Sequence, residues 1–360
     1  MDELLNARAF QEAALARLPA AIGAYYAGGA RDQITLRENE AAWARISLLP
    51  RCLSGVAEPA LGTTVLGHRL KTPILVPPMA FQRMASTGGE LDLVRAAGAA
   101  GSLYILSTLS TTPMEAVLGA ATGPVWFQLY LYKDRGATRA LVERARAAGC
   151  AALVLTVDAP IIGTREADVR HRFSLPAGLR CENLVAAGFD AMPAVADGSG
   201  LAAYVARLLE PALSWADLDW LVATSGLPVV LKGVMRADDA RRAEDHGARA
   251  LIVSNHGGRQ LDTAAASARL LPPIVEAVGE RVELLVDGGL RRGTDVVKAL
   301  AMGARAVGVG RPFLWGLTLG GQAGAARIFT LLEAELREAM ILCGAADLAA
   351  LRRDLLMGPG

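Results

Sequence analysis

The sequence predicts an α/β protein: a (β/α)8 barrel of the TIM type, with an N-terminal helical extension and a lid insertion after the fourth strand. Three observations lead there. Eight short apolar runs alternate with amphipathic, alanine-rich segments, and near-continuous apolar strands alternating with helices imply a parallel sheet covered by those helices. The repeats occupy about 240 residues, close to the ~250 usual for such a barrel. A doubly wound sheet would want a Gly-rich dinucleotide turn after its first strand, and none follows Ile74–Val76, while Gly308-x-Gly310 after the last run lacks the third glycine.

The chain reads as one domain over 1–360. In the extension, residues 1–72, apolar positions over 2–22 recur at helical spacing until Pro19, and a second short helix runs into Tyr25-Tyr26 before Gly28-Gly29. Another helix is expected over 32–47, then short strands and a hairpin-like stretch from Leu61 to Leu70 around Gly67. The barrel is expected over 73–320. Its strands are Ile74–Val76, Leu103–Leu106, Val125–Leu129, Ala152–Leu155, Val229–Leu231, Leu251–Val253, Leu284–Val286 and Ala306–Val309. Between them lie helices such as Gly89–Ala100, Arg135–Ala148, Ala237–His246, Ala268–Val278 and Gly293–Ala301, several ending on a glycine just before the next strand. The fourth crossover is roughly fifty residues longer than a simple connection needs. That excess, 170–215, is expected to lie over the barrel mouth as a lid. Residues 321–360 are expected to form C-terminal helices.

Charge narrows the partners. With 37 basic and 36 acidic residues the net charge is +1, which leaves no footprint for nucleic acid. No uninterrupted apolar run reaches the length of a membrane span, and the N-terminus lacks the pattern of a secretory leader. The four cysteines are far apart and the four histidines lack metal-ligand spacing, so a cytoplasmic, metal-free protein is expected.

In a barrel the residues just after each strand converge on one mouth, where active sites sit. Here those positions are Pro78-Met79-Ala80, Ser107-Thr108, Gln128 with Tyr130, Thr156 with Asp158, Lys232, Ser254 with His256, Asp287-Gly288-Gly289, and Gly310-Arg311. The last two loops, continuing through Leu290 and Arg291, occupy the common phosphate site of such barrels, where backbone N–H groups and a helix N-terminus hold an anion. Gln128, Thr156, Lys232 and Ser254 suit the edge of a flat polar heterocycle, and a fixed cation at Lys232 favours negative charge on a reduced flavin. Flavin mononucleotide (FMN) is the economical ligand. His256 is the candidate base, with Asp158 available to orient it or, alternatively, to cap a helix. Arg259 and Arg165 offer forks for a substrate carboxylate, and Tyr25 or Tyr130 could bond that group or a neighbouring hydroxyl.

These motifs resemble the FMN-dependent (S)-2-hydroxy-acid oxidases and dehydrogenases, the group that includes glycolate oxidase, lactate oxidase and mandelate-oxidising enzymes. The resemblance runs from about residue 10 to 350 and is carried by Tyr25-Tyr26-Ala27-Gly28-Gly29-Ala30, Trp126-Phe127-Gln128-Leu129-Tyr130, Leu155-Thr156-Val157-Asp158, Arg165-Glu166-Ala167-Asp168, Leu231-Lys232-Gly233, Ser254 to Asp262, Asp287-Gly288-Gly289, Arg291 to Asp295 and Gly310-Arg311-Pro312. It implies His256 as base and Asp158 as its partner. Tyr25, Arg165 and Arg259 would hold the substrate carboxylate, and Tyr130 the substrate hydroxyl. FMN would be held by Pro78, Met79, Ala80, Ser107, Gln128, Thr156, Lys232 and Ser254, its phosphate by Asp287, Gly288, Gly289, Leu290, Arg291, Gly310 and Arg311. The implied assembly is a homotetramer.

Leu109 departs from the plant glycolate-oxidase pattern, which carries a tryptophan there, and Met79 replaces a small hydroxyl residue. A smaller apolar Leu109 leaves room for a medium- or long-chain or aryl, mandelate-like side chain. The expected reaction passes electrons from the 2-hydroxy acid to O2 and yields hydrogen peroxide. A lactate or mandelate dehydrogenase using a quinone or protein acceptor is the near alternative. A non-redox phosphate-binding barrel is the distant one.

Overall fold

The computed structural model describes residues 1, 3–193 and 195–358. Three helices come first: α1 (Ala7–Arg17), α2 (Ala20–Ala27) and α3 (Ile34–Ala44). The first helix starts later than expected because Asn6 caps α1, its side-chain oxygen accepting from the amides of Arg8 and Ala9 at 3.0 Å. It ends just before Pro19, as expected, because Leu18 is extended. Strand β1 (Ser47–Leu48) and the hairpin β2 (Thr63–Val65) with β3 (His68–Leu70) follow. Leu66 and Gly67 form the hairpin turn, both in the left-handed region at φ 45° and 81°, which matches the twist of the paired strands.

The barrel runs β4 (Ile74–Leu75), α4 (Gly89–Ala99), β5 (Tyr104–Leu106), α5 (Met114–Ala120), β6 (Val125–Leu129), α6 (Arg135–Ala148) and β7 (Leu153–Thr156). The long crossover holds α7 (Glu166–Arg170), α8 (Gly200–Leu208) and α9 (Trp215–Ser225). The circuit then continues through β8 (Val229–Val234), α10 (Ala237–Asp245), β9 (Ala250–Val253), α11 (Ser267–Val278), β10 (Glu283–Asp287), α12 (Gly293–Ala301), β11 (Ala306–Gly308) and α13 (Arg311–Cys343). Strands β4 to β11 form one parallel sheet. Val76 closes it against β5, its amide donating to Leu103 O at 3.0 Å and its carbonyl accepting from Ile105 N at 2.9 Å.

Side chains alternate across each strand, and two cores result. Leu75, Ile105, Trp126, Val154, Val230 and Ile252 fill the barrel interior, and the β2–β3 hairpin adds Val65 and Leu70 to them as a plug. The larger core lies between strands and helices. With that end sealed, only the mouth at the strands' C-terminal ends is left for a ligand.

Three boundaries differ from the sequence reading. Strands β7, β8 and β10 extend far enough to include Thr156, Lys232 and Asp287, so these side chains stand on strand rather than loop. The irregular excess ends before Trp215, because α9 is capped at Ser214 by reciprocal bonds with Asp217 and belongs to the regular crossover. The region expected as several C-terminal helices is one arm of α13, broken from the first arm at Gly320-Gly321, where Gly321 adopts φ 54°, ψ −133°. After Cys343, among the described residues, come only short 3-10 turns and strand β12 (Leu356–Met357), paired antiparallel with β1.

Candidate active site

The loop after β9 carries the candidate base. Ser254 Oγ accepts from His256 N at 3.0 Å and from Lys232 Nζ at 3.0 Å, so one buried hydroxyl fixes both loop and lysine. His256 itself adopts φ 58°, the left-handed region that costs a side-chain-bearing residue on the order of 1–2 kcal/mol. That conformation brings Nδ1 to 2.8 Å from Asp158 Oδ1, whose side chain is wholly buried. Room for Asp158 comes from a bulge in β8 between Lys232 and Val234. Gly233 there has φ 104°, and a Cβ on it would fall 2.6 Å from Asp158 Cβ.

The electrostatics divide the pair. Burial alone would push the Asp158 carboxyl up, but His256 and the Lys232 ammonium outweigh it and hold it below the usual range. Burial, helped by Lys232 and Arg165, outweighs Asp158 and lowers the imidazole below its ordinary 6.5. At neutral pH the site therefore holds an aspartate facing a neutral histidine. The aspartate accepts a hydrogen bond from Nδ1–H, which leaves Nε2 as the basic atom. Lys232 lies 3.4 Å from Asp287 Oδ2; burial works against its charge, but Asp287 and Asp158 prevail and keep it protonated.

Gln128 ties three strands together. Its Oε1 accepts from Ser107 Oγ at 3.3 Å and Thr108 N at 3.1 Å, and its Nε2 donates to Thr156 Oγ1 at 3.1 Å.

Arg259 and Arg165 line the same cleft. Arg259 donates through NH1 to the carbonyls of Tyr25 at 2.7 Å and Gly28 at 2.9 Å, with its guanidinium 4.9 Å from the Tyr25 ring. Burial and the neighbouring Arg165 bring its pKa down to about 10, still cationic at neutral pH. Arg165 is held by Asp168 at 3.5 Å and by the carbonyl of Arg259 at 3.4 Å. Tyr25 stacks on Phe173 of the insertion, centroids 4.1 Å apart and planes 7° from parallel. Tyr130 keeps its phenol proton, burial and the nearby Asp158 both opposing ionisation.

The cleft also carries a candidate anion cradle. Among the described residues the amides of Gly289, Leu290, Gly310 and Arg311 find no protein acceptor, and all four residues line the cleft. Gly289 has φ 86°, and a Cβ on it would lie 2.2 Å from Asn39 O, so only glycine lets this loop pack on α3. Arg291 is paired with Glu40 at 2.7 Å while its Nε, buried, has no partner. Arg311 opens α13 and donates to the carbonyls of Tyr26, Gly28 and Gly257 at 3.0–3.1 Å, which straps the α2 end to the His256 loop.

One cleft of about 1160 Å³, its open mouth included, gathers nearly all of the residues singled out from sequence. Asp158 and Ser254 are not on its wall; they stand behind His256 and Lys232. The sequence reading missed the apolar side of the cleft, Ala159, Ile162, Leu201, Val205 and Leu209, although Leu201 and Val205 one helical turn apart were a usable signal for α8. It also missed the reciprocal amide pair of Asn39 on α3 and Asn255, at 2.8 and 2.9 Å. Nothing in local spacing signals a contact across that much sequence.

The family model for FMN-dependent dehydrogenases matches residues 14–357. An L-lactate oxidase of Nostoc sp. is 55% identical over 90% of this chain and 90% of its own length. The 2-hydroxyacid oxidase 1 of Homo sapiens is 45% identical over 99% of this chain and 97% of its own. Among solved structures, mandelate oxidase with (S)-4-hydroxymandelic acid superposes with a TM-score of 0.92 at 40% identity, covering 98% of each chain. His256, Lys232 and four free backbone amides line one cleft of a chain matched almost end to end, and the protein belongs to the FMN-dependent dehydrogenase family.

Proposed function

We propose that the chain oxidises an (S)-2-hydroxy acid to the 2-oxo acid and reduces O2 to hydrogen peroxide. The His256–Asp158 contact carries this reading, because it makes a neutral, oriented base at neutral pH beside two cationic forks. The residues present suit FMN. The free amides at 289–290 and 310–311 with Arg291 would take its phosphate. The edges of Gln128 and Thr156 and the backbone of 78–80 would take the ring, with Lys232 beside it. Bound FMN supplies a two-electron acceptor for the substrate's Cα–H bond and returns those electrons to O2.

The protein's own part is binding, orientation and proton transfer. Arg259 and Arg165 hold the carboxylate, with Tyr25 beside them, and the Tyr130 hydroxyl bonds the substrate oxygen. The proton leaving the substrate goes to His256 Nε2, and Asp158 stabilises the imidazolium so formed. Ser254 serves by bracing Lys232 and His256. Residues 170–215 serve as a lid, Phe173 and α8 covering the substrate end. Anaerobic addition of a 2-hydroxy acid should bleach the flavin, and aerobic turnover should release one peroxide per substrate. Bleaching with no peroxide would assign the electrons to a quinone or protein acceptor instead. In solution we expect a cytoplasmic homotetramer, with a light-scattering mass of four chains.

The apolar wall made by Leu109, Ile162, Leu201, Val205 and Leu209 favours a medium-chain or aryl side chain over glycolate's hydrogen. Leu109→Trp should lower kcat/KM for mandelate relative to glycolate by about tenfold or more; an equal change for both would place the side chain elsewhere. The Nostoc relative favours a second reading, a methyl side chain. A panel of glycolate, L-lactate, 2-hydroxyoctanoate and mandelate separates the two.

A further inference from the structure

Away from the cleft, one carboxylate is wholly buried and bonded on every side. Glu90, in the first turn of α4, is 0% exposed. Its Oε1 accepts from the amides of Gln82 at 3.1 Å and Thr111 at 2.8 Å, and from Thr111 Oγ1 at 2.9 Å. Its Oε2 accepts from Thr111 Oγ1 at 2.9 Å and Thr112 Oγ1 at 2.8 Å. A carboxylate is the only side chain of this size that accepts in all these directions and donates in none. Thr111 Oγ1 also accepts from Arg83 N at 3.1 Å, which adds a second link between the same loops.

Both anchored segments lead into the cleft within a few residues. From Gln82 the amide side chain reaches back to Met79 O at 3.1 Å. Phe81, next to it, sits at φ 60°; its amide donates to Leu109 O at 3.1 Å and its carbonyl accepts from Tyr26 OH at 2.7 Å. Its ring lies 5.8 Å from Tyr25 and 6.4 Å from Phe173. Glu90 thus fixes the separation between the turn carrying Met79 and Phe81 and the loop carrying Leu109.

We propose that Glu90 is the positioning residue for substrate side-chain selection, holding Leu109 and Phe81 at the spacing that shapes the apolar end of the cleft. It touches neither substrate nor cofactor and acts through the Gln82 and Thr111 backbones. This rests on the reading that the chain oxidises 2-hydroxy acids. Its distinguishing consequence is that loosening the tie changes which side chain is preferred, whereas a merely stabilising residue would change all substrates alike.

The test compares kcat/KM for mandelate, L-lactate and glycolate in the flavin-loaded wild type, Glu90→Gln, Thr111→Val and Thr111→Ser. Glu90→Gln keeps the length but turns an amide NH2 toward hydrogen-bond donors; Thr111→Val keeps the shape and loses the hydroxyl, and Thr111→Ser restores it. The mandelate-to-glycolate ratio should move about tenfold in Glu90→Gln and Thr111→Val and return to the wild-type value in Thr111→Ser. If Glu90→Gln does not fold, the Thr111 pair decides alone. Flavin-loaded variants whose kcat/KM falls by one common factor for all three acids, or only whose thermal midpoint drops, overturn the proposal. A wild type that turns over none of the acids would instead defeat the functional reading on which it rests.

Discussion

Replacing His256 with alanine will leave a yellow protein that 2-hydroxy acids scarcely bleach. The imidazole contributes one proton acceptor, and loss of such a group typically costs about 10²–10⁴-fold in the chemical step. FMN retention should be unaffected, because the lysine brace and the phosphate cradle do not depend on the imidazole. Anaerobic stopped-flow reduction reads the rate and the visible spectrum reads retention; a reduction rate within a few fold of wild type would remove His256 from the chemistry. The wild-type pH profile carries a matching signature. A base must be unprotonated to act, and burial holds this imidazole below 6.5. kcat/KM should therefore be level above that value and fall as pH drops through the lowered pKa. In Asp158→Asn the limb should move to lower pH and the plateau should fall, since the neutral amide no longer raises the imidazole's pKa, fixes the Nδ1 proton or stabilises the imidazolium.

Arg259→Met is the second large effect. In the proposed function the substrate's carboxylate meets this guanidinium in a buried setting, where removing one partner of a charge pair costs roughly 2–5 kcal/mol, about 30- to 5,000-fold in kcat/KM. The loss should appear mainly in KM, and discrimination between an acid and its methyl ester should collapse. Arg259 also bonds the carbonyls of Tyr25 and Gly28, so Arg259→Lys, which keeps charge but loses the fork, should fall between the two. Unchanged preference for acid over ester in Arg259→Met would assign the carboxylate to Arg165 alone.

What could be read without coordinates follows from the reach of each signal. Strand runs such as Val125–Leu129 were legible because a strand buried on both faces must be apolar throughout, and eight of them leave little choice of topology. Lys232, His256 and Asp287 were legible because convergence at one mouth is a property of the barrel and not of any single contact. The tie from Glu90 to Thr111 was not legible: a glutamate in a helix's first turn reads as a solvated charge favourable to the dipole, and only the fold shows that its helix end is covered. The Asn39–Asn255 pair was hidden for the same reason. Boundaries failed where a local cap competed with periodicity, as at Asn6 and Ser214.

The left-handed backbone of His256 sets a backbone cost against a buried hydrogen bond at a single position. Glycine adopts that conformation at less cost than histidine. Glycine at 256 would relieve that backbone cost but leave the wholly buried Asp158 carboxylate without its imidazole partner, so stability too holds the histidine in place.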